Sequence, residues 1–196
     1  MNELILGIDE AGRGPVIGPM VICGIMLKKE DVPYLRRIGV KDSKVLSPRR
    51  REKLKTLIEK VAWRWELIKI PPRRIDQYGL TFLQLKGIVQ LIDGLSPQMV
   101  IVDSPTPWPQ SYQRKIKSLV RDKNVRLSVE IMADEKYEIV SAASILAKVA
   151  RDREIKELSL QYGEIGSGYP SDRKTVDFLK KCLVRKGQLP DIVRKR

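Results

Sequence analysis

The chain has no histidine among its 196 residues and only two cysteines. Without histidine, an imidazole general base, a Ser-His-Asp triad and any histidine-ligated zinc site are excluded. Cys23 and Cys182 lie far apart, so there is neither a CxxC pair nor a disulfide framework. That sparse usage suits a reducing, cytoplasmic setting. No apolar stretch approaches the ~18 residues of a membrane span. The longest candidate, Val16–Leu27, is broken by Gly18, Pro19 and Gly24. The start, MNELILGIDE, lacks a basic segment and carries acids early, which argues against a signal peptide. Negative charge is the minority sign, with 24 acidic against 38 basic residues and a net charge of +14.

What is present reads as one soluble globular unit. Apolar residues make up 42% and charged residues 32%, and a chain of this length buries roughly 70% of its unfolded surface. The basic excess is concentrated. Arg36–Lys60 holds ten basic and three acidic residues, and 173–196 holds nine and two. Either stretch alone could be a solvated helix face. Together they favour two arms of a nucleic-acid groove, held by phosphate neutralisation and weakened by salt. A monomer acting on nucleic acid, with no membrane partner, is the expectation.

The apolar pattern predicts strands at Leu4–Ile8, Met20–Leu27, from Trp63 through Ile68, Met99–Val102 and Val125–Ile131. Helices are predicted after the Ser47-Pro48 cap, over Asp76–Asp93, Ser111–Arg121 and Glu138–Glu157, and in the basic segment from Arg173 to Lys186. This order describes an α/β chain with a mixed sheet. A catalytic domain over 1–160 and a helical C-terminal region over 161–196 are expected, with no linker between them.

Three strands run into acids: Asp9-Glu10, Asp103 and Asp134. Strand ends of an open sheet gather at one edge, where ligands bind. Single acids there are ordinary turn residues. Four brought together must share protons or hold cations. Oxygen donors without histidine select Mg²⁺ or Mn²⁺, and a pair of such ions suits phosphodiester hydrolysis. Gly12, Arg13 and Gly14 follow at once, but Gly12, Gly14 and Gly18 do not spell the GxGxxG of a dinucleotide fold. Further on, Ser141, Ser144 and Lys148 share one helix face. They are either a phosphate-facing stripe or serines bonded back to their own helix.

Several longer motifs stand in order along the chain: GIDEAGRGP at 7–15, VKDSKVL at 40–46, Val102-Asp103-Ser104, ADEKY at 133–137, SAASILAKV at 141–149 and GSGYPSD at 166–172. Together they resemble the ribonuclease HII family, in particular its archaeal-type branch. The resemblance spans nearly the whole chain. It implies an RNase H-like α/β fold, a five-stranded mixed sheet flanked by helices, with a helical C-terminal extension. It implies endonucleolytic cleavage of RNA paired with DNA and at ribonucleotides embedded in duplex DNA, leaving 3′-hydroxyl and 5′-phosphate ends.

By the same resemblance, Asp9, Glu10, Asp103 and Asp134 match the family's acids for two Mg²⁺ or Mn²⁺ ions, with Asp134 rather than Glu135 as the ligand. Gly12, Arg13 and Gly14 match the loop that meets the ribose 2′-hydroxyl, and Tyr169 a tyrosine packed on the neighbouring sugar. Without the resemblance, Tyr169 beside Pro170 would read as a core aromatic. Lys41, Ser43, Lys44, Ser141 and Lys148 fall in motifs that face backbone phosphates. Two departures stand out. The helix over 76–90 lacks an expected asparagine, so that contact is either absent or supplied by Gln77 or Gln84. After Val193-Arg194-Lys195 the pattern lacks a Ser-Trp-containing segment, which puts in doubt any contribution of a C-terminal helix to affinity. The rival readings are another nuclease of this fold, such as a junction resolvase, and a non-catalytic hybrid binder.

Overall fold

The computed structural model describes residues 3–40 and 46–195. Five strands form one sheet in the order β3-β2-β1-β4-β5. They are β1 (Leu4–Ala11), β2 (Met20–Lys28), β3 (Arg64–Ile70), β4 (Met99–Asp103) and β5 (Arg126–Glu130). β1, β2 and β3 pair antiparallel, while β1, β4 and β5 run parallel. Every predicted strand is present.

Strand alternation divides the core between two faces. Leu6, Ile8, Met20, Ile22, Val100 and Val102 pack on one side, under helices α3 (Pro72–Tyr78), α4 (Leu80–Leu95) and α5 (Pro109–Leu119). Ile5, Val21, Cys23, Ile25 and Ile101 pack on the other, under α1 (Val32–Arg37), α2 (Pro48–Val61) and α7 (Glu138–Tyr162). Ser47 caps α2 by accepting from the Arg50 amide, as the Ser-Pro signal predicts.

Three expectations need adjustment. The helix predicted over Asp76–Asp93 is two helices, α3 and α4. Gly79 adopts a φ of 82° between them, and its amide closes α3 onto Ile75. Asp134 does not end a strand. β5 stops at Glu130, Met132 takes the left-handed conformation (φ 56°), and Asp134 rides on α6, the single turn Ala133–Lys136. Helix α1 has no counterpart in the sequence reading.

The C-terminal region contains α8 (Arg173–Lys186) and a third apolar cluster. Phe178, Ile165, Ile192 and Val193 close over Ile17 and over Ile155 of α7. Ile17 forms an antiparallel bridge with Val193, so the last residues reach back to the β1–β2 loop. Among the described residues no helix is long and apolar enough to cross a membrane.

β1 lies so close to α7 that a Cβ on Gly7 would sit 2.6 Å from the Ile139 carbonyl carbon and oxygen. Both neighbours are backbone, which cannot rotate aside. Gly7→Ala is therefore expected to lose about 3 kcal/mol in urea unfolding; an unchanged midpoint would contradict this packing.

Candidate active site

Asp9 and Glu10 are consecutive on β1, so alternation sends their side chains to opposite faces of the sheet. Asp9 follows the parity of Ile5 and faces α7, where the Ser144 hydroxyl reaches it. Glu10 follows Leu6 and Ile8 towards α4 and α5, where Gln84 and Tyr112 stand near it. Ile8 is paired with Val102 across β1 and β4. One residue on, Asp9 and Asp103 are therefore neighbours on the α7 side. Asp103 accepts the Ala133 amide at 2.7 Å, which fixes α6 and with it Asp134 against the end of β4.

All four acids line a cleft of about 340 Å³ together with Gly12, Arg13, Gly14, Arg51, Ser144, Lys148 and Tyr169. Glu135 lies exposed outside it, so Asp134 is the inward acid of that pair. Among the predicted phosphate-facing residues, Lys148 lines the cleft. Ser141 does not: it is buried and borders a neighbouring cavity with Asp134, Glu135 and Lys136. Ser144, one turn further along α7, takes the place beside Asp9. Lys41, Ser43 and Lys44 lie outside the described residues. Of the two candidate glutamines, Gln84 is the one at the site. It is fully buried and accepts from the Arg13 guanidinium, whereas Gln77 borders a different cavity.

Burial is the main force on the acids' ionisation. It raises the Asp9 carboxyl well above its ordinary value, and repulsion from Glu10 and Asp103 adds to the rise. Glu10 is pushed up to about 7, first by burial and then by Asp103 and Asp134, although Arg13 pulls it down. Arg13 Nε stands 3.9 Å from Glu10 Oε1, while the buried Glu10 Oε2 has no hydrogen-bond partner among the described residues. A desolvated carboxylate beside further carboxylates is a donor set for a hard divalent cation. Among the described residues no three acids are grouped closely enough to hold a metal ion as they stand.

The rim contains residues that sequence reasoning missed. Asp152 accepts from Lys148 at 2.9 Å and from Arg51 at 3.2 Å, and it lies 3.7 Å from Arg151. It thereby gathers three cations along one edge. Arg151 is 2% exposed, donates to the Ser167 carbonyl, and stacks 5.1 Å from the centre of the Tyr169 ring. The signal was available: Ser144, Lys148, Arg151 and Asp152 continue one helix face at steps of three and four.

The ribonuclease HII family profile matches residues 6–196. The chain belongs to the ribonuclease HII family. The ribonuclease HII of Methanosphaera stadtmanae is 41% identical over 97% of this chain and 90% of its own length. That of Thermococcus onnurineus is 43% identical over 97% and 86%. The ribonuclease H2 of Pyrococcus horikoshii superposes with a TM-score of 0.92 at 41% identity, covering 98% of this chain and 92% of that one. The Archaeoglobus fulgidus ribonuclease HII, solved in complex with PCNA, gives 0.89 at 40% identity, covering 98% and 94%. Both the archaeal-type branch and the five-stranded RNase H-like fold with its helical extension are thereby established. As a family member the protein is a metal-dependent hydrolase. It cuts the RNA of RNA/DNA hybrids and ribonucleotides embedded in duplex DNA.

The Glu10 shift has a consequence for stability. Its folded value of about 7 exceeds the ordinary 4.5, so the folded state holds this proton more tightly than the unfolded one. Stability is fully present below 4.5 and is lost as pH rises through about 7. In metal-free buffer the melting temperature should fall across that window. Glu10→Gln should flatten the fall, and added Mn²⁺ should reverse it in the wild type. A profile identical in Glu10→Gln would refute the assignment.

Proposed function

We propose that Asp9, Glu10, Asp103 and Asp134 hold two Mg²⁺ or Mn²⁺ ions at the scissile phosphate, and that cleavage leaves 3′-hydroxyl and 5′-phosphate ends. The supporting observation is the convergence of these acids with the Gly12–Gly14 loop and Tyr169 on one cleft. When bound, such ions ionise water at neutral pH and stabilise the departing oxygen.

The chain's own residues have distinct tasks in this reading. Asp9 and Glu10 straddle the sheet end and present carboxylate oxygens from both faces. The Ala133 amide keeps Asp103 turned to the cleft. Gln84 and Arg13 lie behind Glu10 and hold it in position. Lys148 and Arg51, spaced by Asp152, offer positive charge to a backbone phosphate at the rim. Gly14 is exposed and lets a sugar approach the loop backbone, and the half-exposed Tyr169 ring offers that sugar a flat face. The 2′-hydroxyl is the group that separates RNA from DNA at such a contact.

The two free cysteines, one of them buried, suit a cytoplasmic setting. The start of α2 lies beside the cleft, since Pro48, Arg49 and Arg51 border a cavity of about 510 Å³ shared with Lys148 and Tyr169. It is the arm that holds duplex phosphates.

Asp9→Asn should abolish cleavage of a duplex with one embedded ribonucleotide while retaining hybrid binding; equal turnover would reject the metal role. Changing Arg36, Arg37, Arg49 and Arg50 together to alanine should weaken binding and flatten its dependence on salt by up to ~4 units of logarithmic slope. A slope equal to wild type would reduce that stretch to a solvated face. An all-DNA duplex cut as fast as the embedded-ribonucleotide substrate would favour the resolvase-like alternative.

A further inference from the structure

Arg194 lies 182 positions from Gly12 in sequence, yet its guanidinium sits directly beneath the glycine loop. It is buried at 7% exposure. Nη2 donates to the Gly12 carbonyl at 2.7 Å and to the Gly18 carbonyl at 2.9 Å. Nη1 donates to the Arg13 carbonyl at 3.1 Å, and Nε donates to Gly18 again at 3.1 Å. The backbone beside it is tied in as well. The Arg194 amide donates to Val16 at 2.8 Å, and the Gly18 amide donates to Ile192 at 2.9 Å. No carboxylate makes an ion pair with Arg194 among the described residues. Burial and the nearby Arg151 lower its pKa to about 10. A desolvated cation bonded to three carbonyls and sharing its neighbourhood with a second arginine is an expensive arrangement for packing alone.

The arrangement has a geometric effect. In a trans peptide the C=O and the following N–H point in opposite directions. With the Gly12 and Arg13 carbonyls turned inward onto Arg194, the amides of Arg13 and Gly14 must turn outward. Neither amide has a hydrogen-bond partner among the described residues, and both residues line the acidic cleft. The second buried arginine supports the other wall: Arg151 donates to Ser167 and stacks on Tyr169, and its side chain packs where a Gly12 Cβ would lie.

We infer that Arg194 is a positioning residue for ribose recognition: by drawing in the Gly12 and Arg13 carbonyls it aims the Arg13 and Gly14 amides at the sugar hydroxyl. This rests on the reading that the glycine loop meets the ribose. Lysine retains the charge but carries its donors on one nitrogen rather than in a planar fork, so Arg194→Lys separates charge from geometry.

The test compares wild type and Arg194→Lys on a duplex carrying one ribonucleotide, on the same duplex with a 2′-fluoro sugar there, and on the all-DNA duplex. Circular dichroism and Mn²⁺ titration calorimetry report on the fold and on the acids. Arg194→Lys is expected to retain its fold and Mn²⁺ affinity. Its kcat/KM on the single-ribonucleotide duplex should drop about tenfold or more, with a smaller preference over the 2′-fluoro substrate. Amide hydrogen exchange at Arg13 and Gly14 should change alongside. Wild-type kcat/KM and preference in Arg194→Lys would overturn the inference. If wild type itself cut the hydroxyl and fluoro sugars alike, the loop reading would fall with it. Arg194→Gln serves as a second variant. If both variants lost circular dichroism and Mn²⁺ binding together, Arg194 would be part of the core and the positioning role would be rejected.

Discussion

Like charge confined at the end of a sheet is the constraint around which this molecule is arranged. Asp9 and Glu10 cannot be relocated without leaving β1, and β1 is the strand paired on both sides, with β2 and β4. Their neighbours are therefore selected to tolerate them. Gln84, though wholly buried, is a polar side chain on an otherwise apolar face of α4. The Ser144 hydroxyl stands against Asp9 on α7. Arg13 is the cation nearest Glu10 in sequence, three residues away and partly exposed. None of these removes the repulsion, and Glu10 stays near 7 despite them. A site left under such strain is poised to take up positive charge. The net charge of +14, carried largely on segments outside the acids, draws a polyanion to the same surface.

A second level of organisation holds the walls of the cleft. The β1–β2 loop, the 166–170 loop and the last residues meet beneath the glycines through Arg151, Arg194 and a small apolar cluster around Ile17. The amides of Val16 and Ile17 both donate to the Gly168 carbonyl, which locks the loop bearing Tyr169 to the loop after the acids. Gly168 can accept this contact because it has no side chain: a Cβ there would lie 2.8 Å from the Ile17 carbonyl oxygen. The glycine-loop wall of the cleft is thus backbone, held from below by the buried side chains of Arg151 and Arg194.

What could be read from the sequence follows the range of the interactions. Apolar runs ending in Asp9-Glu10 and Asp103 are local signals: they located the end of β4, while β1 runs on through both acids to Ala11. Asp134 was placed on the right edge but on the wrong element, because a left-handed Met132 and a one-turn helix leave no periodic trace. The break at Gly79 was hidden because apolar residues continue at helical spacing on either side. Ser141 and Ser144 share a helix face, and only the packing of α7 against β1 decides which one meets Asp9. Arg194 had no local signal, since its partners are carbonyls at the opposite end of the chain. Residues whose roles are set by chain neighbours were visible, and those set by docking were not.

Covalent continuity ties recognition to chemistry. From Glu10 to Gly14 the backbone spans no more than ~14 Å even when fully extended, and the loop is folded rather than extended. A sugar held on the Arg13 and Gly14 amides therefore brings a phosphate of its own backbone near the carboxylates of the preceding strand. Moving the loop would move both selections together: which sugar is accepted and which phosphate meets the acids. A DNA sugar that fails to engage the amides also fails to fix a phosphate in register. On the proposed reading, the clamp on the loop backbone bears on phosphodiester hydrolysis as well as on the choice of sugar.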